Sequence, residues 1–149
     1  ALNHRFRLLP AVEDVDRHSY GTIAYGASIA ILLALFWPDQ PLAVAAGVLV
    51  MALGDGLAGL VGPQLRSPRW RVLGQGKSLA GTLAMAGGAL VVLILLQLIA
   101  QNQGIAAPAW PYLIGIALLA TALEQGSSFG IDNLSVPLSA GLLWQHWTH

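Results

Sequence analysis

The chain has 149 residues, of which 56% are hydrophobic and 9% are charged, and its seven Lys and Arg balance its seven Asp and Glu. Since charged residues make up about a quarter of a soluble domain, the mean hydropathy of +0.66 indicates an integral membrane protein. The zero net charge argues against nucleic acid as a partner. The absence of cysteine excludes disulfides, thiolate metal sites and cysteine nucleophiles.

The first 18 residues are polar and predict an aqueous or interfacial segment. Their acids, Glu13, Asp14 and Asp16, are typical of a solvated face. The chain begins with Ala and shows no signal peptide, so we expect a processed product or an N-terminally incomplete piece of a longer protein. The four histidines lack metal-ligand spacing and are assigned to interfacial positions; they are His4, His18, His146 and His149.

Apolar segments follow in chain order and predict an all-α fold, a polytopic bundle of about five transmembrane helices forming one domain. The segments cover residues 20–37, 41–62, 78–100, 110–124 and 134–144. The short break at 38–40 predicts that the first two spans form a tight antiparallel pair. The last two segments are short for full spans, which indicates tilted, broken or re-entrant helices.

Basic residues set the predicted orientation. The loop 63–77 holds four of the seven Lys and Arg, and the other three precede the first span. Two spans separate these basic segments, so both emerge on the same side, which the positive-inside rule makes cytoplasmic or its equivalent. Trp37, Trp110 and Trp144 then fall at the outer ends, as expected of an aromatic belt.

Small residues recur every fourth position in two of the spans, which allows close helix packing. The stripes are Gly26, Ala30 and Ala34 in the first span, and Ala80, Ala84 and Gly88 in the third.

Asp55 is a single carboxylate inside the second span, flanked by Gly54 and Gly56. A charge at the centre of a transmembrane helix costs roughly 2.5–3.5 kcal/mol, so such a residue is paired, binds a metal or has a function. The glycines leave the backbone open to a close approach. Asp55 is either satisfied by an Arg or backbone near the interface, or it is a cation ligand, which we prefer.

Other polar residues are predicted on the same inner side. Lys77 and Ser78 open the third span, Glu124 ends the fourth, and Asp132 with Asn133 opens the fifth. Together with Asp55, the carboxylates of Glu124 and Asp132 suit magnesium, a hard ion that prefers oxygen ligands. Asn133 either binds sugar or phosphate or caps the fifth helix.

The segment 74–78, Gly-Gln-Gly-Lys-Ser, leads directly into the third span. Free N–H groups at a helix start favour anions, Gly74 and Gly76 would let a phosphate approach, and Lys77 adds a positive charge. It is not a Walker A loop, because Arg71 occupies the position of the first glycine and no buried strand precedes it. The alternative is that Lys77 is an interfacial cation and Ser78 a plain N-cap.

Three ordered motifs resemble those of the polyprenol kinase family, which includes phytol and dolichol kinases. They are 53–62 (LGDGLAGLVG), 76–82 (GKSLAGT), and Glu124 followed by 130–138 (GIDNLSVPL). The flanking segments 9–13 (LPAVE) and 16–22 (DRHSYGT) are most similar to the phytol kinase branch of plastids and cyanobacteria. Family members usually carry further spans and a basic, histidine-containing motif before this region, which supports the expectation of an incomplete chain.

The resemblance implies transfer of a phosphoryl group from a nucleotide, typically CTP, to the hydroxyl of an isoprenoid alcohol. For the phytol branch the product is phytyl phosphate, on the route to tocopherol. Asp55, Glu124 and Asp132 would hold Mg²⁺ on the nucleotide. Lys77, with the backbone at Gly74 and Gly76, would bind the phosphates. The implied partners are the nucleotide, the alcohol and the bilayer, and a homo-oligomer is compatible.

Other interpretations of the sequence remain open. A CTP-dependent lipid cytidylyltransferase would also join CTP to a membrane lipid, but it releases pyrophosphate where a kinase releases CDP. A structural membrane subunit would use the small-residue stripes for packing alone, which leaves the three acids near the inner face unexplained. A small transport or channel subunit is a further alternative. Transport would need polar residues along a route through the membrane, whereas here they collect at one face.

Overall fold

The computed structural model describes the backbone of residues 8–149 and the side chains of residues 20–149. Its elements are α1 (Leu8–Phe36), α2 (Pro41–Gln64), β1 (Arg69–Val72), β2 (Gln75–Ser78), α3 (Leu79–Gln103), α4 (Trp110–Gly126) and α5 (Asp132–His146). The expected helical fold class is confirmed. Helices α2 and α3 are long and apolar enough to cross a membrane, and Tyr20–Phe36 is a shorter apolar helix. Five membrane crossings therefore stay a prediction.

Helix α1 starts earlier than the expected first span, so residues 8–18 of the predicted interfacial segment are helical. The side chains of Glu13, Asp14 and Asp16, to which we assigned a solvated face, lie outside the described residues. So do those of His4 and His18.

Local sequence signals account for the helix ends. Pro41 occupies the first turn of α2, where its missing N–H costs no hydrogen bond. Ser78 caps α3 by accepting a hydrogen bond from the N–H of Gly81. Gly104 ends α3 in the left-handed conformation that favours glycine.

Helix α2 lies at the centre of the bundle, packed against α3 and α5, and α5 also contacts α1 and α4. Glycines allow the closest approaches. A Cβ on Gly47 of α2 would stand 2.5 Å from the carbonyl oxygen of Pro137 in α5, and one on Gly88 of α3 would stand 3.2 Å from that of Leu53 in α2. Of the two predicted stripes, the α3 stripe thus has Gly88 at a helix interface.

Two packing predictions were wrong. Gly26, Ala30 and Ala34 are exposed, because α1 turns the face carrying Leu32 toward its neighbours. Trp144 is 2% exposed and belongs to the core rather than to an aromatic belt. The direction in which a helix faces depends on its neighbours, which a linear pattern of small or aromatic residues does not specify.

The predicted basic loop 63–77 contains an antiparallel β-hairpin, which the sequence analysis missed. Leu73 and Gly74 form its two-residue turn, both with positive φ, the geometry that matches the twist of a tight hairpin. Arg69 pairs with Ser78, and Trp70 pairs with Lys77. Since β2 runs directly into α3, the hairpin projects from the end of the bundle where α2 ends and α3 begins, which is called the inner end below.

Candidate active site

Three acids from three helices meet at the inner end of the bundle. Asp55 lies on α2, Glu124 in the last turn of α4 and Asp132 at the start of α5. One carboxylate oxygen from each lies within 4.8 Å of those of the other two. Glu124 is buried, whereas Asp55 and Asp132 are partly exposed. The predicted convergence of these acids is therefore present in the structure.

Lys77 reaches from β2 to the end of α4. Its Nζ forms an ion pair with Glu124 Oε1 and donates to the Glu124 carbonyl oxygen at 3.0 Å. The two side chains are 9% and 7% exposed, so this pair is largely shielded from solvent. A cation is also favourable here because the carbonyl end of a helix carries partial negative charge. The pair fastens the hairpin to α4.

Glu124 has a second partner. The Nε2 of Gln125 donates to Glu124 Oε2 at 2.5 Å. Because a carboxylate accepts and does not donate, the amide nitrogen of Gln125 must face Glu124. Both oxygens of Glu124 are thus engaged, which fixes its orientation beside Asp55 and Asp132.

A cavity of about 560 Å³ opens at this place. Its α2 wall carries Asp55 and the residues one and two turns later, as expected for one face of a helix. The lining residues are Asp55, Ala58, Gly59, Gly62, Pro63, Arg69, Trp70, Arg71, Gly76, Lys77, Ser78, Gly81, Thr82, Glu124 and Gln125. Both signs of charge therefore face one space that is large enough for a small-molecule ligand.

The cavity gathers several of the residues singled out in the sequence. Asp55, Gly76, Lys77, Ser78 and Glu124 all line it. Asp132 is not part of the lining but stands in the acid cluster at its edge.

The other predicted ligand-binding residues lie elsewhere. Gly54 faces α3, where a Cβ would meet Met85 Sδ at 2.5 Å, and Gly56 and Gly74 have open space around them. Asn133 is the second residue of α5, so it is not the cap. Its Nδ2 lies 2.7 Å from where a Cβ on Gly21 of α1 would stand. None of these four lines the cavity.

Ser78 has the capping role given above, and its neighbours complete that cap. The N–H of Ala80 donates to Ser67 Oγ at 3.1 Å, and that of Leu79 donates to the carbonyl oxygen of Pro68 at 3.0 Å. The first N–H groups of α3 are therefore already hydrogen-bonded within the protein.

Sequence reasoning did not single out Arg69, Trp70, Arg71 or Gln125 as site residues. The first three were counted only as part of a basic loop. To find these three residues, the sequence analysis would have had to predict a hairpin over residues 69–78, which places Trp70 opposite Lys77. Gln125 follows Glu124 directly and had no signal of its own.

Comparison with known proteins supplies relatives for the whole region. A phytol kinase from Synechocystis sp. is 39% identical over 143 residues, which is 95% of this chain and 60% of that protein. The probable phytol kinase 3, chloroplastic, of Glycine max is 28% identical over 83% of this chain and 40% of its own length. Dolichol kinase EVAN of Arabidopsis thaliana is 28% identical over 80% of this chain and 21% of its own length.

The chain is homologous to phytol and dolichol kinases. This finding confirms the resemblance to the polyprenol kinase family. Of these three relatives, the one with the highest identity is a phytol kinase. The chain spans about 60% of the length of the Synechocystis relative. No protein-family model and no solved structure matches it.

Proposed function

We propose that the protein transfers the γ-phosphoryl group of a nucleoside triphosphate to the hydroxyl of an isoprenoid alcohol. The proposed donor is CTP, the proposed substrate is phytol, and the product is phytyl phosphate. The observation that carries this proposal is the shared cavity of Asp55, Lys77 and Glu124, with Asp132 at its edge. Homology to phytol kinases over 95% of the chain supports the choice of alcohol.

Phosphoryl transfer requires positioning and charge neutralisation more than covalent help from the protein. The alcohol oxygen would form a bond to the γ-phosphorus while the bond from that phosphorus to the β-phosphate oxygen breaks, releasing the nucleoside diphosphate. The hydroxyl proton would pass to Asp55 or Asp132, whose carboxylates accept no hydrogen bond from the residues that the structure describes, whereas Glu124 is held by Lys77 and Gln125. Lys77 would hold the phosphates against the cavity wall.

The acid cluster fits a magnesium ion in donor chemistry and nearly in size. All three donors are carboxylate oxygens, and two oxygens on one Mg²⁺ ion stand at most about 4.2 Å apart, twice the usual bond length. The oxygens of the three acids lie within 4.8 Å of one another and would draw closer together on binding. Bound Mg²⁺ would neutralise charge on the phosphate oxygens.

We further propose that the helices are embedded in a cyanobacterial or plastid membrane, with the cavity at the cytoplasmic or equivalent face. Less than half of the most apolar stretch of α2 or of α3 is buried within the protein, and large apolar side chains cover the remaining surface. Lipid would bury this surface. The alcohol would then enter from the bilayer with its hydroxyl at the polar inner end.

The proposal is tested with membranes that contain the protein, incubated with radiolabelled CTP or ATP and with phytol, geranylgeraniol or a long polyprenol. We expect CTP and phytol to give phytyl phosphate and CDP. Release of pyrophosphate would identify a cytidylyltransferase instead. Transfer to none of the alcohols would contradict the proposal.

A further inference from the structure

The β1–β2 hairpin is held in place at both of its sides, so it forms a fixed wall of the cavity. Arg69 Nη2 donates to the carbonyl oxygens of Gly62 and Pro63 at the end of α2, at 3.3 Å each. Lys77, on the other strand, is paired with Glu124 of α4. A wall fastened to two helices presents its remaining side chains in a defined position.

Few donor groups on this wall are without a partner inside the protein. The first N–H groups of α3 are bonded to Pro68, Ser67 and Ser78. Of the basic residues that line the cavity, Lys77 and Arg69 already have partners. Arg71 is exposed, and its side chain makes no hydrogen bond or ion pair with any residue that the structure describes. Of the three basic side chains that line the cavity, Arg71 is therefore the one without a partner in the described protein. A guanidinium group also matches the geometry of phosphate oxygens.

Trp70 precedes Arg71 in β1 and pairs with Lys77, so the side chains of Trp70 and Arg71 leave opposite faces of the hairpin, and both residues line the cavity. Trp70 is 38% exposed, and its ring stacks on no other aromatic ring in the described part of the chain. Stacking of a nucleobase on an exposed indole is favourable for every base, because every base has a π-face. On β2, Gly76 pairs with Arg71. A Cβ built on Gly76 would have no other atom within 4 Å, so the space beside this part of β2 is open.

We propose that this hairpin is the nucleotide-binding arm of the cavity, in which Arg71 binds phosphate oxygens and Trp70 stacks on the nucleobase. The inference rests on the proposed function, because it names nucleotide contacts in the same cavity. It assigns phosphate binding to a side chain of β1 rather than to the N–H groups at the start of α3. Stacking through Trp70 contributes affinity for nucleotides of any base.

Two probes separate the two contacts. The protein in lipid nanodiscs is titrated with CTP, which has a base, and with tripolyphosphate, which has none. Arg71→Gln should weaken binding of both probes about tenfold, the scale of one charge-assisted hydrogen bond, and Arg71→Lys should retain part of the affinity. Trp70→Leu should weaken CTP about tenfold and leave tripolyphosphate unchanged, whereas Trp70→Phe should retain stacking.

Arg66→Gln is the matched control, since Arg66 is an exposed arginine in the same basic segment and does not line the cavity. If Arg71→Gln and Arg66→Gln bind tripolyphosphate with equal affinity, the proposal that Arg71 binds phosphate oxygens is wrong. An equal loss of CTP and tripolyphosphate in Trp70→Leu would overturn the stacking contact. Turnover is measured separately: a wild-type protein that binds CTP through these residues but phosphorylates no alcohol contradicts the proposed function and leaves the arm supported.

Discussion

The inner and outer ends of the bundle differ in how their polar side chains find partners. At the outer end the bonds are local: Thr148 Oγ1 donates to the carbonyl oxygen of Trp144, and Gln145 Nε2 contacts His149 Nε2 at 2.9 Å, each four residues apart. At the inner end Lys77 and Glu124 are 47 residues apart in sequence.

Local bonds stabilise one helix and tell little about function. Long-range pairing of charges requires several elements to meet, and it places an acid cluster and basic side chains around one cavity. Burying charges costs free energy that apolar packing would avoid, so an arrangement of this kind is better explained by ligand chemistry than by stability. The inner end should therefore be sensitive to loss of charge, and the helix contacts to changes in volume.

The largest effect is expected from Asp55→Asn. The change keeps the size of the side chain and removes its charge, so phosphoryl transfer should fall at least about 100-fold, the scale of losing one electrostatic contact in the transition state. Membrane insertion should be unaffected. The matched control is Asp39→Asn, in the exposed turn at the opposite end. Near-normal turnover of Asp55→Asn, measured with saturating nucleotide, would remove Asp55 from the proposed metal ligands.

Lys77→Ala should have the next largest effect. It removes a positive charge from the cavity and the tether between the hairpin and α4. We expect the apparent nucleotide KM to rise about tenfold, as for loss of one charge-assisted hydrogen bond. Steady-state kinetics over a range of CTP concentrations measure this, with Arg66→Ala as the control. An unchanged KM would rule out a contact between Lys77 and the phosphates.

Gly47→Ala tests the packing half of the comparison. The added methyl group would meet the carbonyl oxygen of Pro137 and Leu32 Cδ1, both at 2.5 Å, and the backbone oxygen cannot move aside without shifting α5. We expect a loss of about 1 kcal/mol, or about fivefold in the ratio of folded to unfolded protein, with nucleotide KM unchanged. Thermal unfolding in detergent measures it. Gly26→Ala, which has open space around it, should be at least as stable as the wild type; an equal loss in both variants would contradict the packing argument.

The smallest effect is expected from Leu73→Asn in the hairpin turn. Leu73 has φ of 48°, a region that Asn tolerates better than Leu, and Asn-Gly is the preferred sequence for this type of turn. The hairpin should open less often, so that amide hydrogen exchange at Lys77 slows about two- to threefold. Faster exchange would show that Leu73 stabilises the turn through its side chain.

Much of this arrangement could be predicted from the sequence, because alternating spans place span ends at one side or the other. The inner position of Asp55, Lys77 and Glu124 followed from that alternation. The side to which each residue points did not. Successive residues of a helix point about 100° apart, so a face that turns Asp55 toward the cavity turns Gly54 toward α3 and Met85.

The hairpin was missed for a different reason. Its turn is Leu73-Gly74, a much weaker signal than Asn-Gly, and its strands are only four residues long. The functions of Arg69, Trp70 and Arg71 depend on where those strands stand against α2 and α4. Such long-range contacts leave no periodic pattern in the sequence.

The most direct test of the central claim follows a single phosphorus atom. Membranes containing the protein are supplied with phytol and with CTP labelled at either the γ- or the α-phosphorus, and the lipid product is extracted and counted. We predict that the γ-label alone enters the lipid, and that its transfer falls at least about 100-fold in Asp55→Asn but is unchanged in Asp39→Asn. Entry of the α-label, or near-normal transfer of the γ-label by Asp55→Asn, would contradict the account.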